Sequence, residues 1–262
     1  MKIVLRVMAC STIMCVSSIC NAGSEIGIYA ELNKADIRGF QQAPKGGSPG
    51  TTSLERPSFE ELNIDSKVYA SMGAWLRFDP FQINFNYLPL KYDGQTILSS
   101  ELITHGITIP QASYFSSDIK DQLYSVDFAR IFKPFNGFMI APMATIHALD
   151  HHYEFSSAPF SSTRAFFATG VGLGLDMTYA FLYQYELNAK IHVPVPITNL
   201  DVSKAKLSLA YVWALTPRLT MKPYALVEWN KIKFKDHQPV PNHLEYRLSP
   251  IWGMGISMSV HN

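Results

Sequence analysis

Apolar and polar residues alternate from Val68 to Tyr87 with the period of a β-strand. The alternation breaks once, at Asp79-Pro80, which predicts a hairpin tip where Phe78 pairs with Phe81; a two- or four-residue loop keeps this parity. Each arm has about ten residues, enough for a tilted strand to cross a bilayer. The predicted lipid-facing residues include Ile83, Phe85, Leu187 and Ile191, and the predicted inward residues include Gln82, Asn84, Glu186 and Lys190.

The same alternation recurs along the chain and predicts ten strands, within a range of eight to twelve. Short and long links follow the strands in turn, which is typical of a transmembrane β-barrel with short periplasmic turns and long outer loops. A soluble β-sandwich also has alternating strands, but the aromatic residues at many strand ends favour the barrel. The predicted outer aromatic girdle consists of Tyr87, Tyr124, Trp229 and Tyr246. The longest loops are predicted at 34–66 and 88–122, and Ser58-Phe-Glu-Glu61 has the spacing of a capping box. The predicted strands cover about 25–33, 68–78, 81–87, 123–132, 138–147, 170–179, 183–193, 205–215, 219–230 and 246–260.

The first 22 residues have the pattern of a secretory signal peptide, with Lys2 and Arg6 before an apolar run. All three cysteines lie inside that segment, so the mature chain is expected to have no disulfide and no thiolate metal site. Without Lys2 and Arg6, 20 basic residues face 21 acidic ones, and no basic excess points to nucleic acid. Aromatic residues make up 13% of the full chain, which suits a protein with membrane interfaces.

In the alternating stretches 25–33, 69–87 and 252–260, after a signal peptide, the chain resembles the small outer-membrane β-barrel proteins of Gram-negative bacteria, in the broad OmpA-like and porin-like class. The resemblance implies one barrel domain over residues 23–262, an all-β antiparallel up-and-down fold and a location in the outer membrane. The implied partners are outer-membrane lipid, the barrel-assembly machinery and an extracellular ligand or host surface. One feature departs from the class: such barrels commonly end in an aromatic residue, and this chain ends in His261-Asn262.

Five acids and five bases fall on the inward parity, which predicts a network of paired charges in the lumen. A basic residue on the lipid face would cost about 2–4 kcal/mol near the midplane, so this parity is favoured. Because a ten-stranded lumen is narrow, the paired charges predict a plug, and a narrow porin-like channel for small solutes is the alternative. The predicted network consists of Glu31, Arg77, Asp127, Asp176, Glu186, Lys190, Lys206, Lys222, Glu228 and Arg247.

Two histidine–acid clusters contain residue types used in catalysis, and both are predicted in outer loops. Omptin proteases use aspartates and a histidine at the outer rim, and barrel lipid A deacylases use Ser, His and an acid. Neither an omptin-like Asp-x-Asp pair nor an outward His-x-Ser step was found here. We therefore expect solvated loop residues, no catalytic residue, no metal and no cofactor. The predicted function is a structural or surface-interaction role of the outer loops, with a surface hydrolase as the third possibility. The clusters are Asp150, His151, His152 and Glu154, and Asp236, His237, His243 and Glu245.

Overall fold

The structure is a computed structural model that describes residues 24–42, 58–64, 66–99, 101–104, 107–182, 184–237 and 242–261. The predicted signal peptide lies outside these residues. The described part contains no helix long and apolar enough to cross a membrane. Its strands are β1 Ser24–Gln42, β2 Lys67–Phe78, β3 Phe81–Ile97, β4 Leu102–Thr104, β5 Ile107–Ile109, β6 Tyr114–Arg130, β7 Phe132–Phe135, β8 Phe138–Ser157, β9 Phe160–Phe181, β10 Tyr185–Pro194, β11 Leu200–Tyr211, β12 Trp213–Ala214, β13 Leu219–Lys235 and β14 His243–His261.

Ten of these strands form one closed antiparallel barrel in the order β1, β2, β3, β6, β8, β9, β10, β11, β13 and β14, with β14 returning to β1. The short strands lie outside the ring: β4 and β5 pair with each other, β7 pairs with β8, and β12 pairs with β13. Closure gives every long strand two neighbours, which satisfies the backbone hydrogen bonds that lipid cannot satisfy. The predicted fold class, an all-β up-and-down barrel of about ten strands, is confirmed.

The hairpin of β2 and β3 has the predicted register, with Phe78 opposite Phe81 across a two-residue turn. The predicted faces are also confirmed. Phe85 and Ile191 are each 47% exposed on the outer surface, whereas Asn84 is only 8% exposed inside the barrel. One parity therefore holds from the turn to the middle of the barrel wall.

An apolar belt surrounds the half of the barrel that carries the short turns. Such a large exposed apolar surface is unfavourable in water and suits the hydrocarbon core of a bilayer. By the usual arrangement of such barrels, the end with short turns is periplasmic and the opposite end is extracellular. Exposed aromatic residues mark both edges of the belt: Phe81, Phe132, Tyr179 and Tyr185 at the periplasmic edge, and Tyr124, Trp229 and Trp252 at the extracellular edge.

Above the belt several strands continue as an extension of the barrel, and there the faces exchange character. On β3, Lys91 and Asp93 point outward while Leu90 and Tyr92 are buried inside. Because the outer face now meets water, the polar residues lie outside and the apolar residues form a core. The predicted loops 34–66 and 88–122 were therefore too long: β1 runs to residue 42, β3 runs to residue 97 and β6 begins at residue 114.

The core of this extension includes a turn from the β1–β2 connection, residues 58–64, which lies inside the barrel. Phe59, Leu62 and Ile64 are each at most 3% exposed. Ser58 and Glu61 bond reciprocally as a capping box would: the Ser58 backbone N–H donates to Glu61 Oε2 at 2.7 Å and the Glu61 N–H donates to Ser58 Oγ at 3.1 Å. The motif anchors a turn here and starts no helix among the described residues.

A bulge in β14 reverses the parity of this strand above the belt. Opposite β1, the register passes from Ile251 to Leu248 while the partner advances only from Ala35 to Ile37, so β14 carries one extra residue. Two predictions were wrong for this reason. Arg247 is exposed on the outer surface and does not join the lumen network. Tyr246, expected in the outer aromatic girdle, is fully buried.

Candidate functional site

The lumen at the level of the belt is lined by ion pairs between residues of different strands. Each pair joins a lysine or arginine to a carboxylate on another part of the wall, so the inward charges neutralise one another. The pairs are Arg77–Glu25 at 2.8 Å, Lys190–Asp127 at 2.6 Å, Lys204–Glu228 at 2.8 Å, Lys222–Glu186 at 2.8 Å, and Lys206–Glu31.

Nine of the ten residues predicted for the lumen network lie on the inner wall, Arg247 being the exception. Asp176 has an amide partner, because Asn188 Nδ2 donates to its Oδ1 at 2.5 Å. The sequence analysis missed two members, Glu25 and Lys204. A signal for both was available: Glu25 has the parity of Glu31, and Lys204 extends the inward series of its strand by one step beyond Lys206.

Six of the ten ion-paired residues line a polar cavity of about 210 Å³, which we call the vestibule. It is lined by residues close to the periplasmic turns, including Glu186, Lys222 and Ser257. A second polar cavity of about 50 Å³ lies above it, and Lys190 and Glu31 line both. The paired charges therefore line polar space, and they do not fill the cross-section of the barrel.

Apolar side chains fill the lumen above these cavities. Phe59, Tyr92 and Tyr246 meet at its centre, with ring centroids 5.9–6.0 Å apart. All three are fully buried, and other inward residues of the extension surround them in one continuous core. We call this core the apolar seal. Its surrounding members include Ile37, Leu90, Phe115, Ile119, Leu149, Phe155, Leu200, Ile232, Phe234, Leu244 and Leu248.

One buried acid, Asp121, lies inside the apolar seal. The hydroxyls of Tyr92 and Tyr246 donate to its Oδ2 at 2.6 and 2.7 Å, and His151 Nδ1 lies 2.5 Å from its Oδ1. Burial and the nearby Asp121 carboxylate raise the pKa of both tyrosines well above the ordinary value, so both remain donors. Gln41 Nε2 lies 3.2 Å from the other ring nitrogen of His151. The hydrogen bonds of this acid are thus made within the core.

The first histidine–acid cluster was predicted as solvated loop residues, and for His151 this prediction was wrong. His151 belongs to β8, is 0% exposed and stacks on Phe166 with centroids 4.5 Å apart. The error has the same origin as the overlong loops, because β8 and β9 continue above the belt with an apolar interior. The Asp121–His151 pair has catalytic residue types, but substrate cannot reach a pair that is fully buried.

The second cluster does not converge with the first among the described residues. His237 is exposed, and Asp236 bonds to Asn242 across its own hairpin. His243 packs edge-on against Phe40 at 4.9 Å, and Glu245 pairs with Lys231 at 2.7 Å. In the part of the chain that the structure describes, no group of three or more His, Cys, Asp or Glu residues is arranged to hold a metal ion.

Comparisons with known proteins give similarity in structure only. No family model matches the chain, and no curated protein matches it by sequence. The outer membrane protein OprG from Pseudomonas aeruginosa is similar at 10% identity and a TM-score of 0.42, over 92% of this chain and 97% of that one. The outer membrane protease OmpT from Escherichia coli is similar at 10% identity and a TM-score of 0.43, over 91% and 95%.

The attachment invasion locus protein Ail of Yersinia pestis is similar at 10% identity and a TM-score of 0.35, over 91% of this chain and 99% of that one. These identities and TM-scores are too low to indicate a role for the chain. The closed ring of strands, the exposed apolar belt and its aromatic edges are the features of a bacterial outer-membrane barrel. The chain has the fold of a small outer-membrane β-barrel, as the sequence predicted.

Proposed function

We propose that the protein is a non-conducting outer-membrane barrel whose extracellular extension has a surface-interaction role. The observation that carries the proposal is the apolar seal. Phe59, Tyr92 and Tyr246 occupy the centre of the lumen, and most of the inward residues around them are apolar and buried. A hydrated ion would have to lose its water to pass this region. Few polar groups there could replace the lost water, so most of the free energy of dehydration would not be recovered.

The extension is also suited to present a fixed surface. Its walls are paired strands that continue from the membrane, and its interior is packed like that of a soluble protein. Loops on a rigid scaffold are common sites of recognition. The surface partner is therefore expected to contact the extracellular end of the extension, where β1 and β3 end and β6 begins.

Planar bilayer recordings test the closed state. We expect wild-type protein to insert with little or no steady current, and to remain heat-modifiable on gels as a folded barrel. A binding screen with the folded barrel and with a variant lacking residues 43–52 tests the surface role. We expect the deletion to change surface binding while the barrel still inserts, and equal binding by both proteins would contradict the role of that loop.

A gated channel is the second candidate, and the vestibule favours it. This cavity of about 210 Å³ gives the periplasmic half of the lumen a polar wall, as a conducting path requires. Phe59, Leu62 and Ile64 of the seal belong to one separate turn, residues 58–64, whose departure would leave the barrel wall intact. A large and stable wild-type conductance would favour this candidate over the closed barrel.

A further inference from the structure

A band of basic residues faces outward on β13, β14 and β1, just above the apolar belt. Arg38 lies directly opposite Arg247, and Arg247 lies directly opposite Lys231, so three cations stand in one row across three neighbouring strands. Side chains directly opposite in a sheet have Cβ atoms about 5 Å apart, and like charges there destabilise the pair. We call these three residues the basic row.

Two members of the basic row lack a counter-ion among the described residues. Lys231 pairs with Glu245 at 2.7 Å. Among the residues that the structure describes, neither Arg38 nor Arg247 takes part in an ion pair, and both are exposed. The wall therefore holds two guanidinium groups next to each other with their donors directed to the surroundings.

The charge is concentrated on one side of the barrel. On β13, β14 and β1 above the belt, six outward bases face two outward acids, Asp36 and Glu245. On the opposite wall, β6 and β8 carry three outward acids and one lysine, and Asp118 there is paired with Lys91 and Lys120. Solvation by water alone does not require the outward basic residues to cluster on one side of the barrel. The six bases are Lys34, Arg38, Lys231, Lys233, Lys235 and Arg247.

The height of the basic row matches the lipid headgroup layer. Trp252 and Trp229 mark the extracellular edge of the belt on these strands, and they are 64% and 45% exposed. Lys231 follows Trp229 by two residues, and Arg38 lies four residues beyond the partner of Trp252. At about 3.3 Å per residue on a tilted strand, the row stands roughly 5–10 Å above this edge.

We propose that the basic row Arg38–Arg247–Lys231 binds the phosphate groups of phosphorylated glycolipid headgroups in the outer leaflet. Guanidinium groups match phosphate oxygens in a bidentate geometry, and one bridging anion would relieve the repulsion along the row. The tryptophans beneath the row would pack on the apolar part of the same lipid. The proposal goes beyond the surface role proposed above and does not depend on it.

The test uses the folded full barrel in neutral detergent, with lipid A as the probe and its dephosphorylated form as the comparison. Native mass spectrometry measures the bound fraction, and thermal unfolding measures stabilisation by lipid. We expect the double variant Arg38→Gln with Arg247→Gln to bind lipid A about tenfold more weakly than wild type. The matched control, Lys91→Gln with Lys120→Gln, removes the same charge from other walls at similar height and should stay within about twofold.

Thermal unfolding supplies a readout that folding defects cannot imitate. In detergent without lipid the Arg38→Gln/Arg247→Gln variant should melt at or above the wild-type temperature, because it removes a repulsion. With lipid A, wild type and the control should gain more stability than this variant. If Arg38→Gln/Arg247→Gln does not fold, the single variant Arg247→Gln is measured in the same way and should still bind less.

Three results would overturn the proposal. Equal losses in the two double variants would mean general attraction of charge, with no site at the row. Equal binding of dephosphorylated lipid would mean that the apolar belt alone holds the lipid. Displacement of lipid A by inorganic phosphate at matched concentration would mean that the row is a site for free anions.

Discussion

On the long strands other than β14, the two halves of the barrel wall share one strand parity and use it in opposite ways. On β3 the outward residue is Phe85 in the belt and Lys91 in the extension, while the inward residue is Asn84 in the belt and Leu90 in the extension. The strand keeps one register with β6 between them. The medium outside the wall, lipid around the belt and water around the extension, therefore determines which face is apolar. The strand geometry permits either arrangement.

The interior differs accordingly. At the level of the belt the inner wall is stabilised by ion pairs and amide hydrogen bonds around polar space, and such pairs contribute little net stability. In the extension the interior is a packed core, where each large side chain contributes through burial. We therefore expect substitutions in the extension core to cost more than substitutions of lumen charges.

The largest effect is expected for Phe59→Ala in the apolar seal. Removing a fully buried phenyl ring should cost about 3–5 kcal/mol of folding free energy. Urea titration of the folded fraction on heat-modifiability gels measures it, and bilayer recordings show whether the lumen opens. Ile97→Ala, at a 69% exposed residue of the same extension, is the control and should change little. A change below 1 kcal/mol for Phe59→Ala would contradict the importance of the seal.

A second comparison uses two outward positions of β3. Phe85→Arg places a charge on the lipid face near the middle of the belt and should cost about 2–4 kcal/mol. Residue 91 lies six residues further along the same face. Lys91→Ile should fold and insert normally because this position is outside the membrane. Unfolding in lipid vesicles gives both values. The boundary of the belt would be misplaced if Lys91→Ile proved the more harmful of the two.

The third prediction concerns the buried acid of the extension. Asp121→Asn weakens the acceptor of Tyr92, Tyr246 and His151 and should cost about 1–3 kcal/mol. The exposed ion-paired Asp93 provides the matched control, because Asp93→Asn should change stability by at most about 0.5 kcal/mol. Equal effects at the two sites in urea titrations would mean that the buried cluster contributes no more than a surface pair.

The smallest effect is expected for Arg77→Gln on the inner wall at the level of the belt. Its ion pair with Glu25 is part-exposed, so the loss should be below about 1 kcal/mol, and the bilayer current should remain absent. A steady current in this variant would show that the paired charges close the lumen, as the sequence analysis expected, and that the apolar seal alone does not.

The belt could be predicted from the sequence because its pattern is local. Alternation with apolar outward residues identified the β2–β3 hairpin and its register, and also the inward positions of Glu186 and Lys190. The extension could not be recognised in this way. Lys91 and Asp93 read as loop residues because their outward face is polar, although Leu90 and Tyr92 continue the alternation.

Two other features depend on contacts that no period encodes. The bulge at Ser249-Pro250 places Arg247 outside and Tyr246 inside. Counting alternate residues back from Trp252 predicts the opposite faces, because the count does not allow for the extra residue of the bulge. The turn that carries Phe59 follows a long polar segment, and only the space inside the extension determines where it packs. The basic row appears only after this bulge has been located.

The position of Phe59 couples the filling of the barrel to its closure. Its turn lies between β1 and β2, and its ring meets Tyr92 of β3 on one side and Tyr246 of β14 on the other. Because β14 is the last strand and seals the ring against β1, the final core contact forms only when the ends of the chain meet. Assembly of the wall and burial of its contents are thus one cooperative event, and an open ring would leave this aromatic contact unmade.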